Sequence, residues 1–171
     1  MHTAKPQRRR KTAKKSLHKK YMAMAICKAR ENLPRLEGGP FGACIVKGSK
    51  VIAVARNTVL KNDATCHAEI NAIRLASKKL KNYDLSGCRI YSTTEPCPMC
   101  FSAIHWARID CIFYGNDIRD AKRIGFNELS IPSVLMKKLG KAKMKIVHGP
   151  LRKECNQLFS DWDKLQSKRL Y

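Results

Sequence analysis

The stretch Cys88-Arg89-Ile90-Tyr91-Ser92-Thr93-Thr94-Glu95-Pro96-Cys97-Pro98-Met99-Cys100 decides the fold, together with Asp110-Cys111-Ile112-Phe113-Tyr114-Gly115 just beyond it. Cys88 to Ser92 is rich in β-branched and aromatic residues and predicts a strand, which Thr93-Thr94-Glu95-Pro96 ends. Cys97 to Arg108 predicts a helix. Asp110 to Gly115 is a short apolar run of the kind found in parallel sheets. Working outward, His67 to Leu80 predicts a helix with Ile70, Ile73, Leu75 and Leu80 on its apolar side. Phe41–Val46 and Val51–Ala55 flank Gly48-Ser49 and predict a hairpin. Leu17 to Asn32 has helical spacing until Pro34. Downstream, Met144–Val147 predicts a strand and Arg152 to about Lys168 a helix, after a region of no clear pattern. Alternating strands and helices argue for α/β layers around a mixed sheet, in one domain.

The 171 residues are 44% apolar, which excludes wholesale disorder. No run of about 18 apolar residues exists, so no membrane-spanning helix is expected. The net charge is +22. Residues 1–20 hold nine Lys or Arg and no acid, while the other 151 carry 26 basic and 13 acidic side chains. Met1–Ser16 is expected to be a disordered basic arm and a candidate for nucleic-acid contact; its composition also suits a mitochondrial transit peptide. Eight cysteines are present. Cys27, Cys44, Cys66, Cys88, Cys111 and Cys155 stand singly in apolar patterns, as small buried side chains in a reducing compartment, so a cytoplasmic location is expected.

Cys97 and Cys100 form a close pair instead. Three residues apart at a helix start, their sulfurs point the same way. His67 opens the preceding helix. Thiolate and imidazole are preferred zinc ligands, and two helix N-termini can meet at one metal with their positive ends toward the thiolates. Three ligands leave a fourth position for water, whose pKa zinc lowers towards about 7. Glu69 can flank that water and shuttle its proton to a leaving nitrogen. A thioredoxin-like redox pair would leave His67 and Glu69 without a role, and a structural zinc site would need a fourth ligand. His-x-Glu with Pro-Cys-x-x-Cys is a known pattern of zinc nucleobase deaminases.

On Cys66-His67-Ala68-Glu69 and Thr94-Glu95-Pro96-Cys97-Pro98-Met99-Cys100, the chain from about Leu17 to Tyr171 resembles the cytidine deaminase-like superfamily. Pro40-Phe41-Gly42-Ala43, Asn57, Ala103-Ile104-His105-Trp106-Ala107-Arg108, Ile124-Gly125-Phe126-Asn127-Glu128 and the terminal Phe159, Trp162 and Tyr171 look like bacterial guanine deaminases. The resemblance implies a three-layer α/β/α fold with a mixed central sheet and a zinc site at the N-termini of two helices. It implies a catalytic Glu69, with His67, Cys97 and Cys100 as zinc ligands. It implies purine contacts from the Asn57 amide, the Ala68 main chain, the walls Phe41 and Trp106, and Glu128, which stands where the family pattern usually has Asp. It also implies a homodimer with exchanged C-terminal segments, in which Tyr171 closes the partner's site.

The expected reaction is hydrolytic deamination of a purine base, guanine to xanthine and ammonia, by zinc-bound hydroxide with Glu69 as proton shuttle. The nearest alternative is a tRNA adenosine deaminase, which shares the zinc-site residues and is favoured by the basic charge. Deamination of another base or nucleoside and a non-catalytic RNA-binding protein are further alternatives.

Overall fold

From the N-terminus the chain forms α1 (Lys5–Arg30), a short α2 (Asn32–Arg35), the hairpin β1 (Gly42–Lys47) and β2 (Lys50–Arg56), and α3 (Ala68–Leu80). Then come β3 (Cys88–Thr94), α4 (Pro98–Trp106), β4 (Cys111–Asn116), α5 (Ile118–Arg123), α6 (Ser133–Leu139), β5 (Lys145–His148) and α7 (Arg152–Asp163). This computed structural model describes residues 5–171, with side-chain surroundings from residue 15 onward. The sheet has the order β2-β1-β3-β4-β5. β1 is antiparallel to β2 and to β3, whereas β4 runs parallel to β3 and to β5. The mixed sheet of the sequence reading is thus present, and the hairpin lies at one edge of a parallel β3-β4-β5 unit.

Each strand alternates its side chains between two faces, and each face has its own apolar cluster. On one, Tyr21, Met22, Ala25, Ile26 and Ala29 of α1 pack with Cys44, Val46 and Tyr91, joined by Cys155 and Leu158 of α7. On the other, Ala43, Ile45, Ile90 and Ile112 pack against α3 and α4. That gives three layers, α/β/α. The buried stripe of α3 is Ala68, Ala72 and Ala76, at spacing i, i+4, i+8. The expected Ile and Leu residues lie beside it, and Leu75 is exposed. Small alanines let the helix axis sit close to the sheet, which holds the N-terminal end of α3 near the end of β3.

Several boundaries differ from the sequence reading. Residues 1–4 of the expected disordered arm lie outside the described residues, and from Lys5 the backbone is helical. Lys, Arg, Gln and Ala are good helix formers, and Pro6 falls in the first turn, where it is tolerated. Pro34 likewise sits inside α2, and the turn ends at Leu36, whose φ is 53°. α7 stops at Asp163, five residues short of the expectation, and the tail turns back toward the site. Two helices, α5 and α6, occupy the region without a clear pattern. Cys27 is exposed, while the other seven cysteines are buried; all eight are free thiols.

Candidate active site

His67 and Cys97 are the residues that immediately precede α3 and α4, and both have extended backbone, with φ/ψ of −63°/156° and −64°/168°. Each therefore leaves the sheet side of the molecule and starts a helix, with its side chain at the positive helix end. Pro98 is the first residue of α4, where its missing N–H costs nothing. Cys100 follows one turn later on the same side. One ligand atom from each of His67, Cys97 and Cys100 lies within 4.8 Å of the others. His67 Nδ1 is 3.8 Å from Cys97 Sγ. Cys97 and Cys100 are not joined.

Glu69 enters the same space from the first turn of α3. It is 6% exposed. Ser92 Oγ donates to its Oε1 at 2.9 Å, and Cys100 Sγ is 3.6 Å from its Oε2. Glu128 Oε1 stands 3.7 Å from His67 Nδ1 on the opposite side. Burial raises the pKa of Glu69, against the charge of His67. Burial and the negative charge of Cys97 push Glu128 up to about 8. Burial lowers His67, but hydrogen bonding to Cys97 and the charges of Glu69, Cys97 and Glu128 outweigh it and bring it to about 9. Cys97 falls to about 4, through its hydrogen bond with Cys100 and, against burial, that with His67. Burial and the neighbouring Cys97 push Cys100 well up. Two sulfurs, an imidazole and two carboxylates in one buried space hold protons that a divalent cation would displace. The soft N/S donor set suits zinc.

The remaining wall comes from distant segments. Asn57 is fully buried. Its Oδ1 accepts from Val59 N at 3.0 Å, which fixes the amide orientation. Its Nδ2 lies toward the Tyr171 hydroxyl and has no well-formed partner. Asn32 Nδ2 holds this loop by donating to Asn57 O at 2.8 Å and Gly39 O at 2.7 Å. The Tyr171 hydroxyl accepts from Gly39 N at 3.0 Å, and Tyr171 O accepts from Asn127 N. Its ring packs edge-on to Phe126, 5.3 Å between centroids, and Phe126 packs edge-on to Phe41. A Cβ on Gly38 would stand 2.2 Å from Asn57 Oδ1, and one on Gly39 would stand 2.5 Å from the Phe41 ring. The Gly38-Gly39 pair thus permits close approach besides breaking the chain.

Of the residues singled out in the sequence, His67, Ala68, Glu69, Cys97, Cys100, Asn57, Glu128 and Tyr171 are brought to this pocket, with Phe41 packed beneath it. Trp106 is not. It is 79% exposed at the last turn of α4, about 12 Å along the helix from the ligating end. Tyr171 reaches Gly39 of its own chain.

Four contributors were not read from the sequence: Asn32, Phe126, Ser92 and Glu95. Glu95 is 5% exposed. Its Oε1 accepts from Ser133 N at 2.7 Å and its Oε2 from Ile118 N at 3.1 Å. It thereby clamps both ends of the excursion that carries Glu128. An acid beside the Cys-x-x-Cys pair was visible in the sequence, but its partners are 23 and 38 residues away.

Residues 15–116 match the model of the cytidine and deoxycytidylate deaminase zinc-binding region. The chain belongs to this zinc-binding deaminase family. It is therefore a hydrolase of the nucleobase and nucleoside deaminase class, and zinc is its metal. The guanine deaminase of Bacillus subtilis is 45% identical over 112 residues, 65% of this chain and 72% of that protein. The tRNA-specific adenosine deaminase of Buchnera aphidicola subsp. Schizaphis graminum is 36% identical over 126 residues, 73% of this chain and 80% of that one. A solved structure of the Nitrosomonas europaea guanine deaminase superposes with a TM-score of 0.77 at 29% identity, covering 85% of this chain and 84% of that chain. The deaminase match contains His67, Glu69, Cys97, Cys100 and Asn57. It ends at Asn116, before Glu128 and Tyr171.

Proposed function

We propose that the protein deaminates a free purine base, guanine being the preferred substrate, to xanthine and ammonia. The observation that carries this reading is the closed wall. Tyr171 bonds to Gly39, and its hydroxyl lies near Asn57, Glu128 and Glu69. Such a pocket fits a flat heterocycle and obstructs a polynucleotide. Asn57 Nδ2 is a buried donor left for a ring acceptor, and burying it unpaired would cost about 1–3 kcal/mol. In this reading Glu128 would accept from an amino or ring N–H group, and Ala68 would offer its main chain at the start of α3. Phe41 acts as packing beneath the ring.

His67, Cys97 and Cys100 would hold the zinc, which when bound would make a water acidic enough to act as nucleophile at neutral pH. Glu69 takes one proton of the attacking water and delivers it to a ring nitrogen, then takes the proton of the new C–OH group and delivers it to the departing amine, leaving a carbonyl. Ser92 holds the carboxylate in place through that sequence. The carbon–amine bond breaks, a carbon–oxygen bond replaces it, and ammonia leaves.

Exchange of the tails within a homodimer belongs to the same proposal: the turn after Asp163 is the piece that would cross, and the Tyr171 contacts would be the same. A cytoplasmic location fits it as well, and no helix among the described residues is long and apolar enough to cross a membrane. The second reading is tRNA adenosine deamination, favoured by the 36% identity to a tRNA-specific enzyme and by the basic Met1–Ser16 segment, which would touch nucleic acid.

Ammonia release from guanine, guanosine, cytosine, adenosine and tRNA tests the choice. Guanine should be fastest by far. Turnover of tRNA adenosine with guanine inert would replace this reading with the second.

A further inference from the structure

A large groove of the molecule lies away from the metal site. It has a volume of about 1070 Å³ and lies where β3, β4 and β5 begin, the end of the sheet opposite to Cys97. α1 covers β1 to β3, and α7 packs on β4 from the other end, so the lower halves of β4 and β5 are left open between them. Phe113 and Val147, paired across β4 and β5, form part of the floor. Around the rim stand Arg89, Arg108, Lys141, Lys143 and Lys145, against a single carboxylate, Asp110.

The three lysines are the informative part. They occur at every second position, exposed, and alternate with buried Ala142 and Met144. Lys143 and Lys145 lead into β5, where extended chain puts alternate side chains on one side about 6–7 Å apart, while Lys141 stands at the turn after α6 with φ 50°. None of the three makes a side-chain hydrogen bond or salt bridge among the described residues, whereas Arg108 is tied to Asp84 at 2.6 Å. Like charges gathered around one carboxylate repel one another, so the arrangement costs stability until an anion arrives. α1 contributes His18 to the groove lining, and the sequence of residues 5–17 holds seven Lys or Arg and no acid.

We infer that this groove binds single-stranded nucleic acid, phosphates on Lys141, Lys143 and Lys145 and bases toward the Phe113 floor. Several ammonium groups along one groove, none of them paired with an acid, match a repeating phosphate chain; one mononucleotide would leave most of them unpaired. The floor is half-buried at Phe113 and exposed at Val147, with basic side chains around it, which suits a strand laid in a channel more than a flat bilayer, whose insertion needs protruding apolar side chains. Because the groove is remote from Glu69 and the tail, binding there leaves the pocket for a small base unobstructed.

The test uses the full-length, zinc-loaded protein and a short fluorescein-labelled oligouridylate, read by anisotropy over a range of KCl. The variant Lys141→Glu/Lys143→Glu/Lys145→Glu should bind at least about tenfold more weakly, and its log–log salt slope should be shallower by about 2, the loss of three phosphate contacts. Its guanine turnover, zinc content and melting temperature should match the parent. Replacing Arg8, Arg9, Arg10 and Lys11 by Gln instead should leave most of the groove-dependent loss still to be produced by the triple variant. Absence of oligonucleotide binding by the parent protein overturns the inference. Equal affinity of the triple variant does so too. So does lysine-dependent binding to phosphatidylserine vesicles in preference to the oligonucleotide.

Discussion

The metal-binding half of the pocket and its substrate-facing wall are built by different means. The first uses two helix starts on one sheet: His67 before α3 and Cys97 before α4, with Glu69 and Cys100 in the turns that follow. Its geometry follows from local spacing once the β-α-β unit forms. The wall is assembled from Gly39, Asn57, Glu128 and Tyr171, whose farthest contact spans 132 residues. Each wall contact needs another distant segment to be in place first. The ligating half should therefore tolerate changes in the wall, and the wall should be sensitive to changes that never touch the metal.

The largest effect belongs to the ligating half. Glu69→Gln keeps the shape and the Ser92 contact but cannot carry a proton. Turnover should fall by at least about 10²–10⁴-fold, the range for losing a general acid–base group, while zinc content stays at one per chain. Steady-state ammonia release and metal analysis on the same sample check both parts. Substantial turnover would remove Glu69 from the proton path. Chelation should abolish activity as well, and added zinc should restore it.

Removing Lys168–Tyr171 tests the wall alone. The tail is pinned by the Tyr171 hydroxyl to Gly39 N, by Tyr171 O to Asn127 N, and by Leu170 against Gly125. Without it the pocket opens and Asn57 faces water. For guanine, kcat/KM should drop at least about tenfold, roughly 1.4 kcal/mol of transition-state stabilisation, with zinc retained. An unchanged rate would erase the distinction between a closed base pocket and an open one.

The same contrast explains what could be read from the sequence. The β-α-β unit, the hairpin and the ligating residues are local patterns, and their strand and helix types agree with the structure. On α3 the expected Ile70, Ile73 and Leu80 do pack against the core, but Leu75 is exposed and the fully buried stripe is Ala68, Ala72 and Ala76, because close packing against the sheet selects small side chains that hydrophobic size does not signal. α5 and α6 have six and seven residues, too few for periodicity to register, and they are placed by the buried carboxylate of Glu95. Asn57, Glu128 and Tyr171 came from resemblance to a family; no spacing rule joins residues so far apart. Asn32 was invisible because its role is to bond two backbone carbonyls from separate loops.

Glu95→Gln gives an intermediate effect that sharpens the boundary between the halves. Its two oxygens face two backbone N–H groups, and the amide nitrogen of Gln would leave one of them unpaired, at about 1–3 kcal/mol. The excursion from Asp117 to Ser133 should loosen, and Glu128 with it. KM for guanine should rise several-fold while kcat and zinc content change little. A general loss of stability would lower the amount of active enzyme without moving KM, so the KM-against-kcat split separates positioning from folding. A fall in kcat with KM unchanged would place Glu95 in the ligating half instead.

Trp106→Ala should have the smallest effect, and it is the sharpest check on where the wall ends. The family resemblance assigned this side chain to the substrate wall, yet it stands at the far end of α4 with most of its surface in solvent. A helix fixes the distance between its two ends, so no rotamer of Trp106 brings it to Cys97 within the same chain. An exposed side chain without polar partners contributes within about 0.5 kcal/mol, so kcat/KM for guanine should stay within roughly twofold of the parent. A large loss would require a second copy of the chain to place that indole against a pocket. The concentration dependence of activity then reads the cause directly: a variant that only weakens pairing regains its rate at high protein concentration, whereas one that has lost a wall does not.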